Sequence, residues 1–168
     1  MAKRIFAIDP GPEHSAYVEY DGSIIYHGIV DNNDMLTLIY ETCMSGMIAS
    51  YGKGKLISLL SMSVGASVFE TCVWIGRFIE MWDYHQVKPI QDNRVYFIYR
   101  KDVKMHLCGN TKAKDTNIRQ AIMDRYGSEK SRAIGTKAAP GPLYGIRKDE
   151  WSALAVAITA YDKIMEGP

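Results

Sequence analysis

The run Ile5-Phe6-Ala7-Ile8 stops at a carboxylate, Asp9, and Pro10-Gly11-Pro12 follows at once. An apolar run bounded by a sharp breaker reads as a buried strand, here Lys3 to Asp9. A carboxylate at the C-terminal end of such a strand stands on rigid backbone, a good place for a hard metal ligand. The position equally suits an aspartate that caps a turn with its own backbone.

The rest of the chain builds on that strand. Ser15 to Tyr20 alternates, Asp21-Gly22 is a hairpin turn signal, and Ser23 to Ile29 returns. Asp31-Asn32-Asn33-Asp34 offers N-cap chemistry for a helix to about Ser50, ended by Gly52-Lys53-Gly54. Lys55 to Met62 reads as a buried fourth strand. After Gly65 a helix runs to about Trp82, with Val68, Cys72, Ile75, Ile79 and Trp82 on one face. Arg94 to Tyr99 is a fifth strand, Lys101 to Cys108 a short helix, and Thr111 to Tyr126 a helix. Gly127 to Lys148 has little periodicity and reads as a loop, functional or disordered at that length. Asp149 to about Met165 is a final helix, with Trp151, Leu154, Ala155, Ile158 and Met165 on one face. A meander followed by strand–helix alternation predicts one α/β domain over residues 1–168, with a mixed five-stranded sheet flanked by helices.

Composition narrows the class. With 47% hydrophobic and 23% charged residues among 168, the chain is an ordinary globular protein with enough length for a sizeable core. No apolar run approaches the roughly 20 residues that span a bilayer, and the first nine residues lack a signal peptide's apolar stretch. A cytoplasmic protein is expected. Cys43, Cys72 and Cys108 form neither a CxxC pair nor a zinc pattern and read as reduced core thiols. The net charge of +1 hides an asymmetry: Arg100 to Lys148 holds 12 basic and 4 acidic residues, the remainder 8 and 15. That segment suggests a basic face for a polyanion. Arg100, Lys101, Lys104, Lys112, Lys114, Arg119 and Arg125 lie on or beside helices, where they can track phosphates, and Lys137 and Arg147 lie in the Gly/Pro-rich stretch. His106 is either a phosphate contact or a packed side chain.

Asp149 and Glu150 open the last helix, where its dipole favours acids in any case. Acids that gather around metal ions also come from separated segments. Phosphodiester hydrolysis uses such clusters, with two divalent ions about 4 Å apart.

Here the residues form an ordered set. Ile8-Asp9-Pro10-Gly11 resembles the opening of RuvC-type Holliday-junction resolvases, and Asp149-Glu150-Trp151-Ser152-Ala153-Leu154-Ala155-Val156-Ala157 resembles their closing helix. Val68 to Phe78, Arg100 to Gly127 and Gly135 to Gly145 are similar to bacteriophage members. The resemblance covers nearly the whole chain. It implies a ribonuclease-H-like fold, usually a homodimer, that cuts branched DNA with Mg²⁺ or Mn²⁺. Asp9 and Asp149 match metal ligands of that family.

Two departures matter. Ser152 stands where the family commonly has a second acid on the last helix. The family's glutamate at the end of the fourth strand is also missing: Leu56 to Met62 holds no carboxylate, and Leu60 is the nearest equivalent, with Ser61 next. Removing one carboxylate from a two-metal cluster weakens metal binding and misplaces the water. Either the chain binds DNA without cutting, or Glu70 or Glu150 replaces the missing ligand. Glu70 also reads as a surface acid at helical spacing from Trp74 and Arg77.

Three functions follow. The first is a structure-selective, metal-dependent endonuclease acting on four-way and other branched DNA. The second is a non-cleaving branched-DNA binder. The third is another ribonuclease-H-like enzyme, such as an RNA–DNA hybrid nuclease. For the dimer, the helix after Gly65 is the candidate, because Phe69, Val73, Trp74 and Phe78 extend its apolar surface beyond one stripe.

Overall fold

The computed structural model describes residues 4–49, 55–61, 66–85, 95–127 and 129–166. Strands β1 (Arg4–Asp9), β2 (His14–Tyr20) and β3 (Ile24–Asp31) form the antiparallel meander. Helix α1 (Asn32–Ala49), strand β4 (Lys55–Ser61), helix α2 (Ala66–Tyr84), strand β5 (Val95–Tyr99) and helix α3 (Arg100–Cys108) follow. Helices α4 (Asp115–Arg125), α5 (Lys130–Ala133) and α6 (Glu150–Glu166) complete the order. The expected ends at Lys3, Ser50, Met62 and Arg94, and the breakers at 52–54 and 65, lie outside the described residues.

The five strands form one mixed sheet in the order β3-β2-β1-β4-β5. The β1–β2 and β2–β3 pairs are antiparallel; β1–β4 and β4–β5 are parallel. Strand alternation explains the two cores. Ile5 and Ala7 face α6, joined by Ala16, Val18 and Tyr20, whereas Phe6 and Ile8 face Met35, Ile39, Phe78 and Trp82 of α1 and α2. Asp9 continues the Ile5–Ala7 parity and so stands on the α6 face. The apolar run is continuous because both faces of β1 are covered.

Helix α6 is buried on every side from Ala153 to Ala160. Its four alanines between 153 and 160 let β1, β2 and α3 approach closely. Met165, expected on the buried face, is exposed instead.

Three further expectations are corrected. Helix α4 begins at Asp115 rather than Thr111, because side chains bend the chain before it. Asn110 Oδ1 accepts the Lys112 N–H (2.9 Å), and Asn117 Oδ1 accepts the Lys114 N–H (2.9 Å). On α2 the buried stripe is Thr71, Phe78 and Trp82, with Trp74 and the expected Ile75 and Ile79 partly covered. Cys72 is exposed, so it is no core thiol, while Phe78 belongs to the core.

The third concerns 127–148, expected as a loop: turns and bends prevail from residue 134 on, as expected, but a short helix precedes them and the stretch is anchored to the core. Besides α5 it is held by backbone bonds: Gly141 N–H to Ile134 O (2.9 Å), Leu143 N–H to Ala133 O (2.8 Å) and Thr136 N–H to Ala139 O (3.0 Å). Gly135 adopts φ +71°, and a Cβ there would lie 2.3 Å from the Ala139 carbonyl oxygen, so only glycine fits. Leu143 is fully buried. Leu143→Ala is therefore expected to cost about 3 kcal/mol of stability, read by thermal melting. No shift in melting temperature would mean that this segment is not packed as described.

Candidate active site

Asp9 ends β1, and the loop behind it is tightly pinned. A Cβ on Gly11 would lie 2.3 Å from the His14 carbonyl oxygen, so that turn requires glycine. The buried Asn32 donates from Nδ2 to the Gly11 carbonyl (3.0 Å) and accepts at Oδ1 from the Ser15 hydroxyl (2.5 Å). Ser15 Oγ in turn accepts the Gly11 N–H (3.3 Å). Asp31 makes the helix cap read from the sequence, accepting the Asn33 N–H at 2.8 Å.

Asp149 comes from the other end of the chain. Its carbonyl accepts the Ser152 and Ala153 N–H groups (2.9 and 3.0 Å), so it introduces α6. Lys148, just before it, has φ 46°, a left-handed conformation rare outside glycine. Such strain collects at functional positions.

The two aspartates meet electrostatically. Burial, first, and then the negative charge of Asp149 push the Asp9 carboxyl up to about 7, opposed by Arg100 and by a hydrogen bond from Ser152, with Asp115 adding to the rise. Asp9 Oδ1 is buried with no hydrogen-bond partner. A buried carboxylate oxygen without a donor is costly unless a proton or cation joins it. This donor set is hard, all oxygen, and fits a divalent cation such as Mg²⁺ or Mn²⁺. Among the described residues, no three His, Cys, Asp or Glu side chains converge closely enough to hold a metal ion. Asp9 and Asp149 thus fit a cation as a pair and fall short of a larger carboxylate cluster.

Neither acid offered as a substitute joins them. Glu150 is buried but turned to other partners: Oε2 accepts the Arg147 N–H at 2.7 Å, and Oε1 lies 3.3 Å from His27 Nδ1, a close approach without hydrogen-bond alignment. It staples the turn that leads into α6. Glu70 is exposed on α2, which packs on α1 across the sheet, and it lines a shallow cleft with Pro12, Glu13, Trp74 and Arg77. Position 60 belongs to β4, whose backbone pairs Leu59 with Ile8 and Leu60 with Ile98. One step further along the same parallel ladder, position 60 comes level with Asp9.

The basic residues divide. Arg100 forms an ion pair with Asp115, both beside the Asp9 site. Lys101 Nζ lies 5.6 Å from the Tyr99 ring centre, and Arg119 stacks 4.5 Å from that of Trp151. Lys104 is half-buried; Lys112, Lys114, Lys137 and Arg147 are exposed. Arg125 and His106 are not free for phosphate, because both bind Asp162: Arg125 with two bonds of 2.6 and 2.7 Å, His106 Nε2 at 2.8 Å. These three side chains tie α3, α4 and α6 together. Sequence reading missed Asp115 as a neighbour of the site, since nothing in its helix-start position marks it.

No protein-family model matches the sequence, and no curated protein matches it. Solved structures do. Thermus thermophilus RuvC shares 16% identity with a TM-score of 0.59, covering 94% of this chain and 93% of that one. T. thermophilus RuvC in complex with a Holliday junction substrate gives a TM-score of 0.61 at 16% identity, covering 98% and 96%. The yeast mitochondrial Holliday junction resolvase gives 0.53 at 10% identity, covering 95% of this chain and 76% of that one. At these identities the likeness is one of fold: the chain has the ribonuclease-H-like fold of the RuvC resolvases.

Proposed function

We propose that this chain is a metal-dependent, structure-selective endonuclease that cuts Holliday junctions and other branched DNA. The observation that carries the reading is the buried Asp9 carboxylate with an unpartnered oxygen, facing Asp149 from the end of the central strand. The fold shared with junction resolvases and the basic segment from Arg100 to Lys148 support it. Asp9 and Asp149 are the residues that would hold Mg²⁺ or Mn²⁺. When bound, such an ion lowers the pKa of water and neutralises charge on a phosphate. Ser152 orients Asp9 through its hydrogen bond, and the Arg100–Asp115 ion pair lies beside it. Lys112, Lys114 and Lys137 are exposed and available to phosphates, which position DNA without reading sequence.

We further infer a homodimer formed through α2, where Phe69 and Val73 are 80% and 62% exposed next to Cys72 and Gly76. Apolar side chains lined up in the open usually mark an interface. Among the described residues no helix is long and apolar enough to cross a membrane. We propose, from the resemblance to phage members, that it works in phage genome processing in the host cytoplasm. A junction binder that does not cut is the second reading, favoured by the absence of a third converging ligand among the described residues.

The test is cleavage of a labelled four-way junction against linear duplex and RNA–DNA hybrid, with Mg²⁺ and with Mn²⁺, beside gel shifts in EDTA. Paired cuts on the junction alone establish the nuclease. Tight junction binding without cuts establishes the binder, and preference for the hybrid overturns both. Glu150→Gln is expected to keep cutting within about fivefold while costing about 1–2 kcal/mol in stability, because its role is to hold the turn. A fall in cutting on the order of a thousandfold would make Glu150 a metal ligand instead.

A further inference from the structure

A cleft opens between α3, α4 and α6, directly beside Asp9. Val103, Ile118 and Ala155 form its apolar floor, Trp151 with Arg119 stacked on it forms one wall, and Arg100 with Asp115 forms the other. Ser152 lines the same cleft and hydrogen-bonds Asp9. The cleft and the candidate active site therefore share a wall.

Its chemistry is unusual for a phosphate groove. The floor is hydrocarbon and offers nothing to an anion. The two arginines stand at the sides, and the Arg100 charge is already balanced by Asp115. A planar, largely apolar group attached to a phosphodiester matches all three features: flat faces for the Arg119–Trp151 stack, an apolar body for the floor, and a phosphate next door at Asp9. Guanidinium and aromatic faces are the usual platforms for unstacked bases. Base pairs at a branch point are the least costly to open, since bases without a full stack give up less.

We propose that this cleft receives one unstacked nucleobase of the bound DNA strand, with Arg119 and Trp151 as its stacking platform. The proposal rests on the branched-DNA reading above. It gives Arg119 a role that phosphate contact alone does not: the residue distinguishes a nucleotide with a base from one without.

The experiment is an abasic scan. Four-way junctions carrying a single abasic nucleotide at each position around the exchange point are bound to the full chain in EDTA, and affinities are read by gel shift. One position per strand is expected to lose roughly 5- to 100-fold in affinity, the range that base stacking supplies. In Arg119→Ala, an exposed position where the fold is not at stake, intact and abasic junctions should bind alike. Lys112→Ala, at an exposed lysine away from the cleft, should weaken both equally and preserve the difference. Tight junction binding with a flat scan overturns the nucleobase cleft and leaves the junction reading intact. So does a difference that survives in Arg119→Ala. Equal binding of junction and linear duplex overturns the junction reading itself, and the cleft with it.

Discussion

Asp9→Asn is expected to lower Mg²⁺-dependent junction cutting on the order of a thousandfold, with junction binding in EDTA nearly unchanged. The amide keeps the shape and loses the charge that draws the cation. The same substitution has a second, metal-free signature. The unfolded Asp9 carboxyl ionises near 3.8 and the folded one near 7, so the folded chain holds more protons between these values. Stability then falls as pH rises from about 4 to about 7 and levels off above, by up to about 4 kcal/mol at 1.36 kcal/mol per pKa unit. In EDTA, Asp9→Asn should lack this slope and melt several degrees above wild type at pH 8. Mg²⁺ added at pH 8 should raise the melting temperature of wild type and leave Asp9→Asn where it is. The thermal readout applies even to a chain that binds junctions without cutting. Equal melting temperatures across this pH range, with and without Mg²⁺, would mean that Asp9 holds neither a shifted proton nor a cation.

The second large effect is a gain. Leu60→Glu sets a carboxylate at the register position level with Asp9 on the neighbouring parallel strand. Cation affinity follows the number of carboxylates, so apparent Mg²⁺ affinity should improve roughly 10- to 100-fold. Cutting should rise with it, most visibly at low Mg²⁺. Titrations of Mg²⁺ and Mn²⁺ against junction cleavage measure the gain. No change in metal dependence would mean that the two aspartates suffice as they stand, or that position 60 is not the site of the missing acid.

Much of the fold could be read from local pattern. The run Ile5 to Asp9 gave the central strand because both of its faces are buried and a proline–glycine break follows. Asp21-Gly22 gave the hairpin, and Asp31 gave a helix cap that the Asn33 N–H confirms. Asp9 and Asp149 were singled out by strand end, helix start and resemblance, and the fold brings them together across 140 positions.

The rest depended on contacts that have no period. The loop read over 127–148 is interrupted by a short helix and anchored to the core, because bonds such as Leu143 N–H to Ala133 O and the buried Leu143 side chain tie it down. The α2 stripe was read in part, with Ile75, Ile79 and Trp82 packed as expected but Phe78 buried in place of Cys72, since its partner is α1 and the angle between two helices is not written in either. Glu150 and Asp149 are adjacent in sequence and carry the same charge. Only the turn at Lys148, with His27 on a distant strand, sends one toward Asp9 and the other away from it. Composition marked a basic segment, but tertiary structure assigned Arg125 and His106 to Asp162, and Arg119 to Trp151. The sequence by itself determined which elements form and which acids are candidates, because those depend on neighbours within a few residues. Which side chains share a site depended on how those elements pack.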